Sequence, residues 1–286
     1  MILFGPAGNS ESFYNEGHKR TVEAFSWIRD KGLNAYEYSF GRGVRIKEQT
    51  AAAIGLEAAK NGVCLSVHAP YYINLATQEL EKAQNNVRYL KESATAAKWM
   101  GAKRVVFHPG SQGKLKRSDA FEYIKAALKT AIEYLDDLEL LSNVALCPET
   151  MGRIKQIGDL DEVIGLCKID ERLIPAIDFG HLHARGLGAL KTEQDFAHIL
   201  DKLNNELGGY RAKHFHVHFS KIEYTAKGEK KHRIFDDEGF GPDFTPLGRL
   251  IAQRGLEPTV ICESKGTMAE DAVRMKKIYE QELEKL

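Results

Sequence analysis

Side chains of the types that bind metal ions recur along this chain, each at or near the end of a short apolar run. They lie in the segments LSVHAP, VVFHPG, ALCPET, AIDFGH, HFHVHF and VICES, and they are His68, His108, Glu149, Asp178, His216 and Glu263. His181 follows Asp178 at a spacing of three residues. Three carboxylates brought together without cations would repel one another, and mixed imidazole and carboxylate donors suit zinc or manganese. So many donors exceed what one tetrahedral ion uses, which predicts two or more ions, an arrangement suited to displacement at phosphorus.

The elements that would position these residues alternate along the chain. The apolar and β-branched runs predict eight strands, Leu3–Gly8, Ala35–Phe40, Cys64–Ala69, Arg104–His108, Val144–Glu149, Ile174–Asp178, His214–Phe219 and Thr259–Glu263. Amphipathic patterns predict helices near 19–32, 48–61, 78–100, 119–137, 159–168, 193–205, 244–254 and 269–285. Eight strand–helix units favour an α/β fold, a (β/α)8 TIM barrel that forms one domain over residues 1–286. A doubly wound open sheet is the competing fold, but the first strand–helix turn, GPAGNS, lacks the GxGxxG pattern.

All strands of a parallel barrel end at the same mouth, so six strands would direct their donors into one cavity. One long segment, about 220–243, interrupts the alternation between the seventh strand and its helix. It carries Lys227, Lys230 and Lys231 and an acidic patch, and it is predicted to be irregular. A functional loop and a solvated mobile loop are the two interpretations of this segment.

Composition narrows the class of protein. The chain has 286 residues, of which 43% are hydrophobic and 28% charged, and this balance excludes a disordered or fibrous chain. Its formal charge of zero excludes a globally basic nucleic-acid coat, although not a basic face. No apolar run is long enough to span a bilayer, and the N-terminus does not have the pattern of a secretory signal. The four cysteines, Cys64, Cys147, Cys167 and Cys262, show no CxxC spacing and are expected to be free thiols in a reducing cytoplasm.

Several motifs around the donors resemble those of the endonuclease IV family of apurinic/apyrimidinic endonucleases, within the xylose isomerase-like barrel superfamily. The most specific are VHAPYYINLA at 67–76 and FHPGS at 107–111, with PETMG at 148–152, DFGHLHARG at 178–186 and HVHFSK at 216–221. The resemblance implies a DNA-repair hydrolase that cuts the phosphodiester 5′ to abasic sites in duplex DNA and leaves a 3′-hydroxyl. It implies a trinuclear zinc cluster in which a hydroxide held between metals attacks phosphorus. It also implies a monomer.

Carried over motif by motif, the resemblance assigns ligands to each metal. His68, His108 and Glu149 would hold one ion, and Glu149, as the central catalytic residue, would bridge to a second. The second ion would also be held by Asp178, His216 and Glu263, and His181 would belong to a third ion. His216 is preferred over His218 because its spacing to Lys221 matches the family's HxxxxK pattern. Both histidines share one strand face, so His218 stays open as the alternative.

The chain departs from the family's pattern in the long segment. The family supplies an Asp-x-His pair there for the third metal, whereas this chain reads GEKKHRIFDDEGFG. Glu229 and His232 are available at a spacing one residue too long, and Lys230 stands where the Asp is expected. The expected cofactor is therefore two or three zinc ions, with manganese as the alternative metal.

The residues expected to contact DNA lie in two loops. Tyr71 and Tyr72 follow His68 and occupy the position from which the family inserts side chains at the lesion, although packing beneath a loop is the alternative. Arg42 and Arg45 follow the second strand and would reach the DNA backbone or minor groove, or else form part of a solvated loop.

Two other functions compete with the nuclease. A sugar isomerase or epimerase of the same superfamily would use one divalent metal held by two carboxylates, an Asp and a His. A binding or scaffold protein that kept the barrel without turnover would explain the altered Asp-x-His pair. The number of bound metal ions separates the first of these from the nuclease.

Overall fold

Eight parallel strands surround the centre of the molecule in the computed structural model, which describes residues 1–286. In chain order the strands β1–β12 are Leu3–Pro6, Ala35–Ser39, Cys64–His68, Arg104–Phe107, Gly110–Ser111, Ala145–Pro148, Gln156–Ile157, Ala176–Asp178, His216–Phe219, Lys221–Thr225, Gly228–Arg233 and Thr259–Cys262. The parallel strands form two sheets, ordered β1-β12-β9-β8 and β2-β3-β4-β6. Single bridges, Ala7 to Glu37 and Glu149 to Ala176, join the two sheets into a closed barrel. The predicted TIM barrel is confirmed.

Helices follow the strands and cover the outside of the barrel. In chain order α1–α11 are Glu11–Asn15, Ala24–Asp30, Glu48–Lys60, Leu80–Met100, Arg117–Asp137, Leu160–Cys167, Phe179–Arg185, Glu193–Leu207, Gly209–Lys213, Thr245–Gln253 and Met268–Leu283. Their apolar faces bury side chains against the strands, and one cluster of 65 buried residues connects helices and barrel. Its largest fully buried members are phenylalanines such as Phe25, Phe107 and Phe215. None of the helices combines the length and apolar composition needed to cross a membrane.

The first and second strands approach one another closely where the two sheets meet. A Cβ atom on Gly5 would overlap the carbonyl oxygen of Ala35, so no larger residue fits without a backbone shift. Backbone separations this short are a common reason for glycine in a strand. The close approach brings the carboxyl end of β1 next to Glu37, in the middle of β2.

The prediction of an irregular segment at 220–243 was wrong over much of its length. Strands β10 and β11 form an antiparallel hairpin there, and Gly228, with φ +88°, follows the two-residue turn as the first residue of β11. The hairpin is charged and half-exposed rather than apolar, so hydrophobic patterning gave little sign of it. The four cysteines are free; Cys64 is half-buried and the other three are buried.

Candidate metal centre

The carboxyl ends of the barrel strands surround a cavity of about 750 Å³. Its wall contains His68, His108, Glu149, His181 and Glu263, each at or just beyond a strand end. Donors that are far apart in the sequence therefore face a common space, as expected for a parallel barrel. Three groups of donors lie at the mouth, and the first two share Glu149. A fourth set, Glu37, His216 and His218, lies deeper in the barrel.

The first group consists of His68, His108 and Glu149. Both histidines place Nε2 3.1 Å from Glu149 Oε2. His68 Nδ1 lies 2.8 Å from the carbonyl oxygen of Ala69, which fixes the orientation of the ring. The three donor atoms lie within 4.8 Å of one another, close enough to share one metal ion.

The second group consists of Glu149, Asp178, His218 and Glu263, whose donor atoms also lie within 4.8 Å of one another. His218 Nδ1 lies 2.9 Å from Glu149 Oε1 and 3.6 Å from Glu263 Oε1. Glu149 therefore presents one oxygen to the first group and the other to the second. This is the position of a carboxylate that bridges two ions.

The two carboxylate oxygens of Asp178 have different surroundings. It is the N-cap of α7, and its Oδ1 accepts a hydrogen bond of 2.6 Å from the backbone N–H of His181. This cap explains the three-residue spacing of Asp178 and His181, because N-cap side chains bind the N–H at the third helical position. Oδ2 is buried without a hydrogen-bond partner. A buried carboxylate oxygen rarely lacks a partner unless it serves an ion or a ligand.

The third group consists of His181, Glu229 and His232. His181 Nδ1 lies 2.9 Å from the carbonyl oxygen of Thr150, and its Nε2 lies 3.5 Å from Glu229 Oε2. His232 Nδ1 lies 2.8 Å from the hydroxyl oxygen of Ser220. The side chains of Glu229 and His232 thus converge on the helical histidine although they come from a different element.

A β-bulge explains how Glu229 and His232 reach the same face of β11. In a regular strand, residues three apart point to opposite faces. The pairing of β10 with β11 shifts between Glu223 and Tyr224, which leaves Lys230 as an extra residue. An extra residue restores a common direction to the two side chains on either side of it. The spacing that seemed one residue too long is therefore compatible with a third donor group.

Two glycines allow the hairpin to reach the centre. Gly228 forms a bridge to Arg153, and the backbone N–H of Glu229 donates a hydrogen bond of 3.1 Å to the carbonyl of Gly152. A Cβ atom on Gly152 would lie 2.6 Å from Glu229 Cβ and 2.9 Å from His181 Cδ2. A side chain at position 152 would therefore push Glu229 away from His181.

The expectation that His216 rather than His218 joins the metal centre requires correction. His218 pairs with Asp178 in the barrel and lies at the mouth, whereas His216 pairs with Ala176, one layer deeper. His216 Nε2 lies 3.1 Å from Glu37 Oε2, and its Nδ1 lies 3.3 Å from the guanidinium of Arg104. Glu37 was not predicted as a site residue, although a lone carboxylate inside the apolar run AYEYS was a signal that could have identified it.

The carboxylates and imidazoles of the site change one another's pKa values. Burial would raise the pKa of Glu149, but the surrounding imidazoles, above all that of His218, hold it well below its ordinary value. Burial would lower the pKa of His68, but Glu149 outweighs it and raises that pKa to about 9. Burial raises the pKa of Asp178 to about 6, although His181 partly opposes this. Metal ions would replace the protons on these imidazoles, since both neutralise the same carboxylates.

The donor set fits two or three divalent ions. It combines imidazole nitrogens with carboxylate oxygens, it includes an unpartnered oxygen of buried Asp178, and it offers a shared carboxylate in Glu149. Mixed nitrogen and oxygen donors of this kind suit zinc, with manganese as the alternative.

Of the aromatic and basic residues expected to contact DNA, Tyr71 alone lines the cavity. Tyr71 is 58% exposed and lines the cavity, and it packs edge-to-face against Tyr72 at 5.4 Å. Tyr72 packs in turn against Tyr89 and does not line the cavity. Arg42 and Arg45 are exposed in the loop after β2, and neither lines the cavity.

Three exposed cations in the cavity wall were not singled out from the sequence as site residues. Arg153, Lys231 and Lys265 line the cavity, and none has a carboxylate within 4.0 Å of its charged nitrogens. Lys230, beside them, is instead paired with Glu223. Unpaired cations next to a group of carboxylates provide positive potential where an anionic substrate would enter.

Comparisons with known proteins agree with the barrel fold. The family described as xylose isomerase-like TIM barrel matches residues 25–286. An uncharacterised protein of Methanocaldococcus jannaschii is 35% identical over 279 residues, which cover 98% of this chain and 97% of that protein. A probable endonuclease 4 of Staphylococcus carnosus is 30% identical over 228 residues, which cover 77% of this chain and 72% of the relative.

Solved structures share the fold at low sequence identity. Endonuclease IV from Thermus thermophilus superposes with a TM-score of 0.71 at 18% identity, over 99% of this chain and 100% of that one. A D-tagatose 3-epimerase-like protein superposes with a TM-score of 0.72 at 18% identity, over 99% of this chain and 97% of that one. At such identities the likeness describes the fold alone and does not choose between a nuclease and an epimerase.

Proposed function

Because this chain belongs to the endonuclease IV family of xylose isomerase-like TIM barrels, we propose that it is a metal-dependent hydrolase that cuts duplex DNA 5′ to abasic sites. Water adds across the bond between phosphorus and the 3′ oxygen, which leaves a 3′-hydroxyl and a 5′-phosphate. The observation that carries the proposal is the sharing of Glu149 between two donor groups, with a third group alongside. A centre for several ions suits displacement at phosphorus.

The chain's own residues would divide the work of holding the metals. Glu149 would bridge the first and second ions, and Asp178 would use the oxygen that the helix cap leaves free. Bound ions would supply Lewis acidity and a nucleophilic water near neutral pH. Glu229 and His232 would complete the third set of donors from the hairpin.

Other residues would hold the substrate over the cavity. Arg153, Lys231 and Lys265 would neutralise phosphates on either side of the reacting bond, because they are exposed and without ion-pair partners. Tyr71 would contact the distorted duplex at the lesion, since it is an exposed ring at the edge of the cavity. Tyr72 would support Tyr71 through their edge-to-face contact. Arg42 and Arg45, in the loop after β2, would contact the DNA further from the reacting phosphate.

A single-metal sugar epimerase is the second candidate, and one observation favours it. Glu149, Asp178, His218 and Glu263 alone make a set of two glutamates, an aspartate and a histidine around one position. Such an enzyme would not need His68, His108 or the hairpin donors. Measuring the number of ions in the purified protein distinguishes the two candidates: one ion favours the epimerase, and two or three favour the nuclease.

A nicking assay tests the proposal directly. Zinc-loaded protein is incubated with a duplex that carries one synthetic abasic site, and the matched controls are the intact duplex and chelator-treated protein. We expect incision 5′ to the lesion that the chelator removes and added zinc restores. Protein that carries metal yet leaves the abasic duplex uncut would contradict the proposed function.

A further inference from the structure

Two histidines of the metal centre are held by a backbone carbonyl at one ring nitrogen. In His68 and His181 this nitrogen is Nδ1, and it lies within 2.9 Å of a backbone carbonyl oxygen. A carbonyl accepts a hydrogen bond, so Nδ1 carries the proton in both rings. Nε2 then faces Glu149 or Glu229 and would bind an ion that replaces its proton. A fixed tautomer is what a metal-binding histidine requires.

His218 reverses this arrangement. Its Nδ1 faces the second donor group, 2.9 Å from Glu149 Oε1, and its Nε2 faces the interior of the barrel. The group that meets Nε2 is not a carbonyl but the carboxylate of Glu37, whose Oε1 lies 2.9 Å away. Both atoms are buried, and neither forms a hydrogen bond with any other group. Glu37, His216 and His218 also place donor atoms within 4.8 Å of one another, so an ion held by these three residues is the competing interpretation. Pairing with one another is the way to satisfy both, because buried polar groups are seldom left unpaired.

Ser66 and His216 contact Oε2 of Glu37, so that Oε1 remains available to His218. The hydroxyl of Ser66 donates a hydrogen bond of 2.8 Å to Oε2, and His216 Nε2 lies 3.1 Å from the same oxygen. The guanidinium of Arg104 lies 3.3 Å from His216 Nδ1 and can only donate. The proton of His216 is therefore on Nε2, the nitrogen that faces Glu37.

We propose that Glu37 is a positioning residue of the metal centre, whose carboxylate accepts the Nε2 proton of His218 and so leaves Nδ1 free to bind the ion of the second group. The negative charge also makes the imidazole a stronger donor to the metal. Arg104, His216 and Ser66 keep the carboxylate in place. This inference rests on the proposed function only in requiring that the second group binds an ion.

Replacing Glu37 with glutamine tests the proposal with little change in shape. We expect Glu37→Gln to weaken zinc binding at one position by about 10- to 100-fold, because groups that orient a metal-binding histidine have effects of this size. Competition with a chromophoric chelator measures the affinity of each ion, and the number of ions bound at saturating zinc should not change. Histidine ¹⁵N NMR spectra provide a second measurement, in which the His218 tautomer signal should shift while that of His68 stays.

Ser66→Ala is the matched control, because it removes a hydrogen bond to the same buried carboxylate but keeps its charge. Its effect on the affinity should stay within about fivefold, the size expected for one hydrogen bond. If Glu37→Gln fails to fold, Glu37→Asp keeps the charge but withdraws it from His218, and the same loss of affinity is expected.

Three outcomes would overturn the proposal. Unchanged zinc affinity and an unchanged His218 signal in Glu37→Gln would show that the carboxylate does not position the ring. The loss of one ion at saturating zinc would show that Glu37 itself binds a metal together with His216 and His218. A wild-type chain that binds no zinc would overturn this inference and the proposed function together, whereas the first two outcomes leave the proposed function intact.

Discussion

Glu149 has the greatest predicted effect of any single residue, because its two oxygens face two different donor groups. We expect Glu149→Ala to lower metal-dependent incision by about a thousandfold or more, since the loss of a bridge removes both the charge and the spacing of the ions. Single-turnover incision of an abasic duplex measures the loss, and elemental analysis counts the remaining ions. Glu282→Gln is the control, because Glu282 is a buried carboxylate that pairs with Arg249 at the end of α11. Full activity in Glu149→Ala would remove Glu149 from the mechanism.

Asp178 predicts a change of stability with pH in the metal-free protein. Burial raises its pKa to about 6, so the folded state holds a proton that the unfolded state releases near pH 4. The stability that this residue contributes therefore falls as the pH rises through this interval and is lowest above it. Asparagine can still accept the hydrogen bond from His181 but does not ionise.

We expect Asp178→Asn to gain about 2 kcal/mol over the wild type in free energy of unfolding between about pH 4.5 and pH 7.5 in chelator. Urea denaturation at the two pH values measures the difference. Saturating zinc should reverse the order, because ions that bind only the folded state stabilise the wild type. A difference that does not change with pH would show that Asp178 ionises normally.

The sequence was sufficient to predict which residue types meet, but not the depth at which each lies. His216 and His218 share a strand face, and a two-residue period cannot tell them apart. The pairing of β9 with β8 determines which histidine lies at the mouth, because it sets His218 level with Asp178 and His216 level with Ala176. The spacing to Lys221 was a poor guide because that lysine begins the hairpin rather than ending the barrel strand. The role of Glu37 likewise depends on which strands become neighbours.

At the scale of elements, the hairpin is where sequence spacing and structure differ most. The spacing of Glu229 and His232 argued against a pair of donors, and a bulge at Lys230 brings the two side chains together. Bulges depend on how two strands pair and have no pattern of their own in one strand. The positions of the eight barrel strands, by contrast, follow from apolar runs and were predictable.

Deletion of Lys230 tests the bulge. Without this residue Glu229 and His232 are separated by one residue, so a regular strand would direct both to the same face. We therefore expect the deletion variant to bind as many zinc ions as the wild type, as measured by elemental analysis at saturating zinc. Glu229→Ala is the comparison, and it should bind one ion fewer. A deletion variant that also loses an ion would show that the bulge does more than correct the spacing.

The loop after β3 carries the predicted contact with the lesion. Tyr71 is exposed and supported mainly by Tyr72, so its removal should change stability by less than about 0.5 kcal/mol. We expect Tyr71→Ala to lower the ratio of abasic to intact duplex binding by about 10-fold, since stacking or wedging is worth about 1–3 kcal/mol per base. Fluorescence anisotropy on both duplexes measures the ratio. Tyr210→Ala, at a more exposed tyrosine outside the cavity wall, is the control, and an equal ratio in Tyr71→Ala would favour the packing interpretation.

At the scale of the whole molecule, a formal charge of zero conceals an uneven distribution. Arg153, Lys231 and Lys265 are exposed in the wall of the cavity without ion-pair partners. Acidic side chains such as Asp136 and Glu280 belong to the last turns of helices. Helices that follow parallel strands run back toward the opposite end of the barrel, so these carboxylates lie away from the mouth. They are also in ion pairs, Asp136 with Arg172 and Glu280 with Lys276, whereas the three cations of the cavity wall are not.

The unpaired cations of the cavity wall predict how DNA binding responds to salt. Each phosphate that a cation neutralises contributes about −0.9 to the slope of log affinity against log salt. We expect the double variant Arg153→Gln, Lys231→Gln to reduce that slope by about 2 and to weaken abasic and intact duplex alike, because phosphate contacts carry no lesion specificity. Anisotropy titrations at several salt concentrations measure the slope. The control replaces Lys60 and Lys98 at the ends of α3 and α4, on the opposite side of the barrel, and should leave the slope unchanged. If both double variants reduced the slope equally, DNA would be held by the net charge of the surface, and the mouth would have no special affinity for phosphates.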